Sequence, residues 1–231
     1  MIANMPSNPL SLEFKIKQPR IKREENPPAI IFLHGRGADE NDLIGLAEYL
    51  DDRFLFISVR APFPWIFSGG YTWFEIEDLG KPDVSMFEKS YNKLVHFINE
   101  IPDQVHLDKN KIILCGFSMG AMMAYSVALS EPDQIFGVIA LSGLVPEGNM
   151  QYKWVKVAGK PFFIGHGIHD SVIPVSYARR SKEILIKANA NVTYREYDMD
   201  HQISEETLAD VVKWSTKLIN TAKRNNDDLH I

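Results

Sequence analysis

A mostly parallel α/β sheet with helices on both faces is the fold this sequence predicts, and three observations predict it. Wholly apolar runs of strand length, such as Ala29–Leu33 and Ile112–Cys115, alternate with longer stretches of helical period, the pattern of strands buried on both faces. Many of these runs end in glycine-bearing turns: His34-Gly35-Arg36-Gly37, Gly116, Ser142-Gly143 and Gly165-His166-Gly167. A chain of 231 residues, 45% apolar and 24% charged, has enough material for one sizeable core. We therefore expect a single domain over residues 1–231, with 11–222 as its folded core and 223–231 as a frayed tail.

The elements follow in order. Leu12–Lys17 alternates apolar and charged residues, as a half-exposed edge strand does. Asn26-Pro27-Pro28 breaks structure before the buried strand Ala29–Leu33. Asp39–Leu50 predicts a helix with Leu43, Leu46, Ala47 and Leu50 on one face, and Phe54–Val59 the next strand. Residues 60–82, rich in proline, glycine and aromatic side chains, show no clean period and predict a long excursion loop near the site. Asp83 is placed to cap a helix over Val84–Ile101, where Phe87, Tyr91, Leu94, Val95 and Ile98 form a stripe. Ile112–Cys115 predicts a strand and Met119–Ser130 an amphipathic helix. Ile135–Leu141 and Pro161–His166 predict strands, Val175–Ala188 a helix, Asn191–Asp198 a strand, and Ser204 the cap of a last helix ending near Ala222.

Composition excludes several function classes. A net charge of -5, without a basic patch interleaved with aromatics, argues against nucleic acid. No apolar run approaches the length of a membrane span and the N-terminus lacks a signal-peptide core, so a cytoplasmic protein without stable membrane insertion is expected. The lone Cys115 falls inside a strand, where an inert buried thiol is expected. No histidine and carboxylate set has metal-ligand spacing, and no dinucleotide fingerprint follows Gly35, so neither a metal nor a cofactor is implied.

The chemistry concentrates at Gly116-Phe117-Ser118-Met119-Gly120, which fits G-x-S-x-G between a strand and a helix. Glycines two residues to either side let a serine occupy a strained turn that lifts its hydroxyl clear of the backbone. A serine hydroxyl is a poor nucleophile until an imidazole takes its proton and an acid fixes that imidazole's tautomer. Asp170 and His201 each follow a predicted strand, and the order Ser118, Asp170, His201 suits a parallel sheet. His166 and His169 precede Asp170 and break that order; His166 is expected to hydrogen-bond backbone at its strand end, and His34 to order its own loop. Asp198 and Asp200 stand too near His201 along an extended chain to face its ring. The oxyanion needs two backbone N–H donors, assigned to Met119 and Arg36. The Arg36 side chain either pairs with Asp39 or Glu40 in solvent or meets an anionic substrate. Trp65, Phe67, Trp73 and Phe74 are candidates to line an acyl pocket, with Phe117 beside the nucleophile; about half of the loop's aromatics are expected simply to pack it down.

Taken together, FLHGRGADENDL, GFSMGA, GHGIHDSVIPV and MDHQIS resemble the phospholipase/carboxylesterase family of α/β-hydrolases, relatives of acyl-protein thioesterases. The resemblance spans roughly residues 30–218. It implies an α/β-hydrolase fold with no separate cap domain, and a serine esterase with Ser118, Asp170 and His201 as triad. The implied partner is a small-molecule ester or thioester, and the oligomeric state is left open, a homodimer included. Alternative readings are an acyl-protein thioesterase, a lysophospholipase, or a non-catalytic ligand-binding domain of the same fold. The thioesterase branch commonly carries glutamine and leucine where Met119 and Arg36 stand here.

Overall fold

The structure is a computed structural model that describes residues 10–227, apart from 23, 24, 68, 79, 80 and 149. Seven strands form one sheet in the order β1 (Phe14–Lys17), β3 (Leu55–Val59), β2 (Ala29–Leu33), β8 (Ile112–Phe117), β9 (Gly137–Leu141), β10 (Pro161–Gly167), β11 (Asn191–Tyr197). Only β1 is antiparallel, at the edge its alternation predicted. Every residue of β2, β3 and β9 is buried, so their unbroken apolar runs follow from having helices on both sides.

Alternate side chains of the central strands feed two cores. Ile31, Leu33 and Leu114 face α1 (Val84–Gln104), α2 (Met119–Ser130) and α3 (Val175–Lys187). Ile30, Phe32 and Ile113 face a 3-10 turn at Leu43–Glu48 and α4 (Glu205–Asp227). Asp83 caps α1 through a bond from Met86 N, and Ser204 Oγ accepts from Thr207 N at the start of α4.

Several expectations need correction. The helix expected over Asp39–Leu50 is only a 3-10 turn, because Asp39 Oδ1 accepts from Asn41 N in an Asx turn that uses up the first residues. Leu43, Ala47 and Leu50 still point inward. Pro102 does not end α1, which continues to Gln104 although the proline forgoes its own bond to Ile98 O. The expected amphipathic α2 is buried at all 12 positions, since β2, β8 and β9 flank one side and α1 the other. The excursion loop is built from two antiparallel ribbons, β4 (Phe63–Trp65) with β5 (Gly70–Thr72) and β6 (Ile76–Asp78) with β7 (Lys81–Pro82). Strands this short carry no period to read. α4 runs past Ala222 to Asp227, as good helix formers such as Ala222, Lys223 and Arg224 allow, and the rest of the expected tail, 228–231, lies outside the described residues. Among the described residues no helix is long and apolar enough to cross a membrane.

The chain leaves β2 and β8 in opposite directions across the sheet, opening a crevice at their carboxyl ends. Contact there is close: a β-carbon on Gly120 would stand 1.9 Å from Leu33 O, whereas one on Gly45 would meet nothing within 4 Å. Gly120→Ala is therefore expected to cost roughly 3 kcal/mol or more, against a change within about 1 kcal/mol for Gly45→Ala. Urea unfolding midpoints of the two variants check this, and equal midpoints would refute the close approach.

Candidate active site

Ser118 stands between β8 and α2 with φ 54° and ψ -117°, a backbone conformation that L-residues adopt at a cost of about 1–3 kcal/mol. Its N–H donates to Leu141 O at 2.8 Å, tying the turn to β9. A β-carbon at Gly116 would lie 2.3 Å from Gly120 O, so both glycines of the pentapeptide have steric reasons to be there.

Three side chains meet at this turn. His201 Nε2 is 2.9 Å from Ser118 Oγ, and His201 Nδ1 is 2.8 Å from Asp170 Oδ2. A carboxylate only accepts, so Nδ1 carries the proton and Nε2 offers its lone pair to the serine hydroxyl. The Asp170 side chain is fully buried, and its other oxygen accepts from Val172 N at 3.0 Å and Ile173 N at 2.7 Å. Asp200, adjacent in sequence to His201, does not touch the ring. It accepts from Ser171 N and His201 N, which hold its carboxyl below the usual range and fix the loop carrying the imidazole. Asp198 pairs instead with His169 at 2.9 Å.

The loop after β2 is clamped from several sides. His34 Nδ1 donates to Gly35 O at 2.7 Å while Nε2 accepts from Ala61 N at 3.0 Å. Trp73 Nε1 donates to His34 O at 2.9 Å, and Gly37 and Ala38 pair with Tyr71 of β5. Gly35 thereby sits so near the elbow that an added β-carbon would be 3.4 Å from Ser118 Cβ. Arg36 follows Gly35 directly in the chain, and Met119 is the first residue of α2.

The expected aromatic pocket divides into three groups. Trp73 and Phe74 are 0% and 1% exposed, members of the core with no face left for a ligand. Phe117 packs on the His201 ring with centroids 4.9 Å apart. Trp65 and Phe67 pack on one another at 5.0 Å on the β4–β5 ribbon, with Phe67 78% exposed. Arg36 does not pair with Asp39 or Glu40. Its guanidinium lies 4.8 Å over the Trp65 ring, because Arg60 has taken Glu40 and holds that carboxyl down at about 2. The contact of Thr72 Oγ1 with Met119 Sδ at 3.4 Å had no signal in the sequence. Cys115 is buried in β8, its thiol pushed up to about 12 by burial. Among the described residues no three potential metal ligands cluster.

A hydroxyl, an imidazole and a buried carboxylate in hydrogen-bond series at the carboxyl edge of a parallel sheet define an α/β-hydrolase. The phospholipase/carboxylesterase family model matches residues 15–219, and the chain belongs to that family of ester-cleaving hydrolases. It is 32% identical to acyl-protein thioesterase 1 of Candida albicans over 213 residues, 83% of this chain and 92% of that protein. Acyl-protein thioesterase 1 of Debaryomyces hansenii is 30% identical over 210 residues, 80% and 89% of the two chains. The carboxylesterase of Bacillus cereus superposes with a TM-score of 0.80 at 26% identity, covering 90% of this chain and 94% of its own.

Burial sets the pH response of the fold. Desolvation lowers the His34 and His166 pKa values below the ordinary 6.5, so both are neutral when folded and bind protons when unfolded. Their contribution is complete above pH 6.5 and is lost as pH falls from there toward the folded values, by at most about 1.4 kcal/mol per pH unit for each ring. Urea midpoints are expected to stay level from pH 8 to 6.5 and to fall below it, with a shallower fall in His34→Gln; a level profile down to pH 5 would contradict this.

Proposed function

We propose that the chain is a serine carboxylesterase working through an acyl-enzyme, with Ser118 as nucleophile, His201 as general base and acid, and Asp170 as the group that orients His201. The observation that carries this reading is the unbroken series from Ser118 Oγ through His201 to Asp170 Oδ2, at 2.9 and 2.8 Å. Ser118 Oγ attacks the acyl carbon as its proton passes to His201 Nε2. The imidazolium then protonates the departing alkoxide. Water, deprotonated by the same nitrogen, attacks the acyl-serine, and the imidazolium returns that proton to Ser118 Oγ as the bond to it breaks and the acid leaves.

The tetrahedral oxygen is received by the N–H groups of Arg36 and Met119, supported by the α2 N-terminus. Trp65 and Phe67, on the exposed ribbon beside Arg36, are assigned to the acyl chain. The buried Trp73 and Phe74 support the site from below. A lone, buried cysteine accords with a cytoplasmic enzyme.

A thioesterase is the second reading, favoured by the curated relatives, which are named for that activity. An S-acylated peptide assayed beside a p-nitrophenyl ester separates the two: a kcat/KM at least about tenfold higher on the peptide would select the thioesterase. Ser118→Ala is expected to abolish both turnover and labelling by a fluorophosphonate. Asp170→Asn is expected to lower kcat by roughly 10⁴. A Ser118→Ala protein that still turns over ester would overturn the assignment, and a wild-type protein that neither labels nor hydrolyses would make the chain a binding domain.

A further inference from the structure

We propose that the Arg36 side chain is a specificity-determining residue of this site, selecting esters that carry a second group, an anionic carboxylate or phosphate, some bonds away from the scissile carbonyl. The inference rests on the esterase reading given above and names the substrate class for the same site.

Arg36 is bonded to Gly35, and a β-carbon on Gly35 would lie 3.4 Å from Ser118 Cβ. Consecutive α-carbons stand about 3.8 Å apart, so the Arg36 α-carbon lies within roughly 9 Å of Ser118 Cβ. The residue is exposed, and its charge therefore stands in solvent close to the nucleophile.

That charge has no carboxylate of its own. Arg20, Arg53, Arg60, Arg179, Arg180 and Arg195 each pair with an aspartate or a glutamate. Among the described side chains Arg36 is the one arginine that does not. The two acids nearest to it in sequence are engaged elsewhere: Asp39 Oδ1 accepts from Asn41 N and Nδ2, and Glu40 receives Arg60 on both oxygens. This is in a chain with 30 acidic residues against 25 lysines and arginines, where carboxylates are not scarce.

The Arg36 guanidinium lies instead over the Trp65 ring, 4.8 Å from its centroid. Stacking of this kind uses the face of the guanidinium, whereas its N–H donors all lie in the plane. The indole thereby holds the fork in place and leaves its edge open. Much of the ordering cost that a free arginine pays on meeting an anion is met before the ligand arrives. A carboxylate or phosphate accepts two parallel bonds from such an edge, and a neutral ester gains nothing from it. Trp65 and Phe67, packed together at 5.0 Å, offer apolar surface to the carbon chain between the anion and the reacting carbonyl.

The anion can be attached through the acyl chain or through the leaving group, and two matched ester pairs tell these apart. Mono-p-nitrophenyl adipate against p-nitrophenyl hexanoate places or omits a carboxylate at the end of the acyl chain; para-butyryloxybenzoate against its methyl ester does so on the leaving group. The quantity read is the ratio of kcat/KM for the anionic member to that for the neutral member. In Arg36→Ala this ratio is expected to fall about tenfold or more in one pair, which names the side. Arg36→Lys, a charge without the planar fork, is expected to restore the ratio only in part. Sodium chloride at about 0.5 M should lower the wild-type ratio and leave that of Arg36→Ala level. Circular dichroism identifies the folded variants, and Arg36→Gln carries the same comparison if Arg36→Ala does not fold. Ratios within about twofold of wild type in both pairs, the result if Arg36 merely pins the ribbon to its loop, would overturn the proposal. Turnover of any of these esters by Ser118→Ala fails the esterase reading instead, whatever the Arg36 ratios are.

Discussion

The close approach of α2 to the end of β2 is the constraint on which the site depends. With Gly120 against Leu33 O and Gly116 against Gly120 O, α2 begins directly under the crevice. Ser118 is pressed into its strained conformation as the single residue between the end of β8 and the start of α2. Strain of about 1–3 kcal/mol at one residue persists only if its surroundings over-determine it. Here they do: α2 is buried along its whole length, and leaving this position would expose the Met122, Met123, Tyr125 and Leu129 side chains together. The core thus holds the serine in place, and local sequence preference does not.

The second half of the site is held by polar bonds. Asp170 and His201 come from loops after β10 and β11, on the far side of β9 from the crevice. A fully buried carboxylate at such a place is costly unless every lone pair is met. Two backbone N–H groups meet Asp170 on one oxygen and the His201 imidazole meets it on the other. Across the crevice the loop after β2 is fastened by His34, Trp73 and Tyr71, none of which touches Ser118 through its own side chain. Two rigid walls therefore face one another. Ser118 between them already stands 2.9 Å from His201 Nε2 without any loop movement.

The central sheet and the three facing side chains were legible because each depends on a local signal: an apolar run of strand length, a glycine pair two residues from a serine, an acid and a histidine just past strand ends. The 3-10 turn at Leu43–Glu48 and the ribbons of 63–82 were not. The ribbons depend on partners far away in sequence, Tyr71 on Ala38 and Arg60 on Glu40, and the turn on an Asx bond at Asp39 that a run of helical period hides. The same reason hid the fate of the aromatics. Trp73 and Trp65 are equivalent in composition, yet one is pinned to His34 O in the core and the other lies open under Arg36. The backbone bond of His166 was foreseen from its place at a strand end. Its contact with Asp170 was not, because only the turn through Ile173 brings the two together.

The relatives are named thioesterases in some cases and a carboxylesterase in another, and the two kinds of substrate differ in chemistry. In the mechanism we propose, both substrates present an acyl carbonyl to the same serine and the same pair of backbone donors, so the oxyanion side does not tell them apart. They differ in the leaving group. A thiolate departs without a proton, whereas an alkoxide needs the one that His201 carries, so a well-held imidazolium matters more to an oxygen ester. Beyond the reacting bond, discrimination falls to the mouth, where the 78% exposed Phe67 and the Arg36 guanidinium stacked on Trp65 meet whatever carries the acyl group. In the proposed mechanism, therefore, ester and thioester preference falls to the rim more than to the hydrogen-bonded series beneath it.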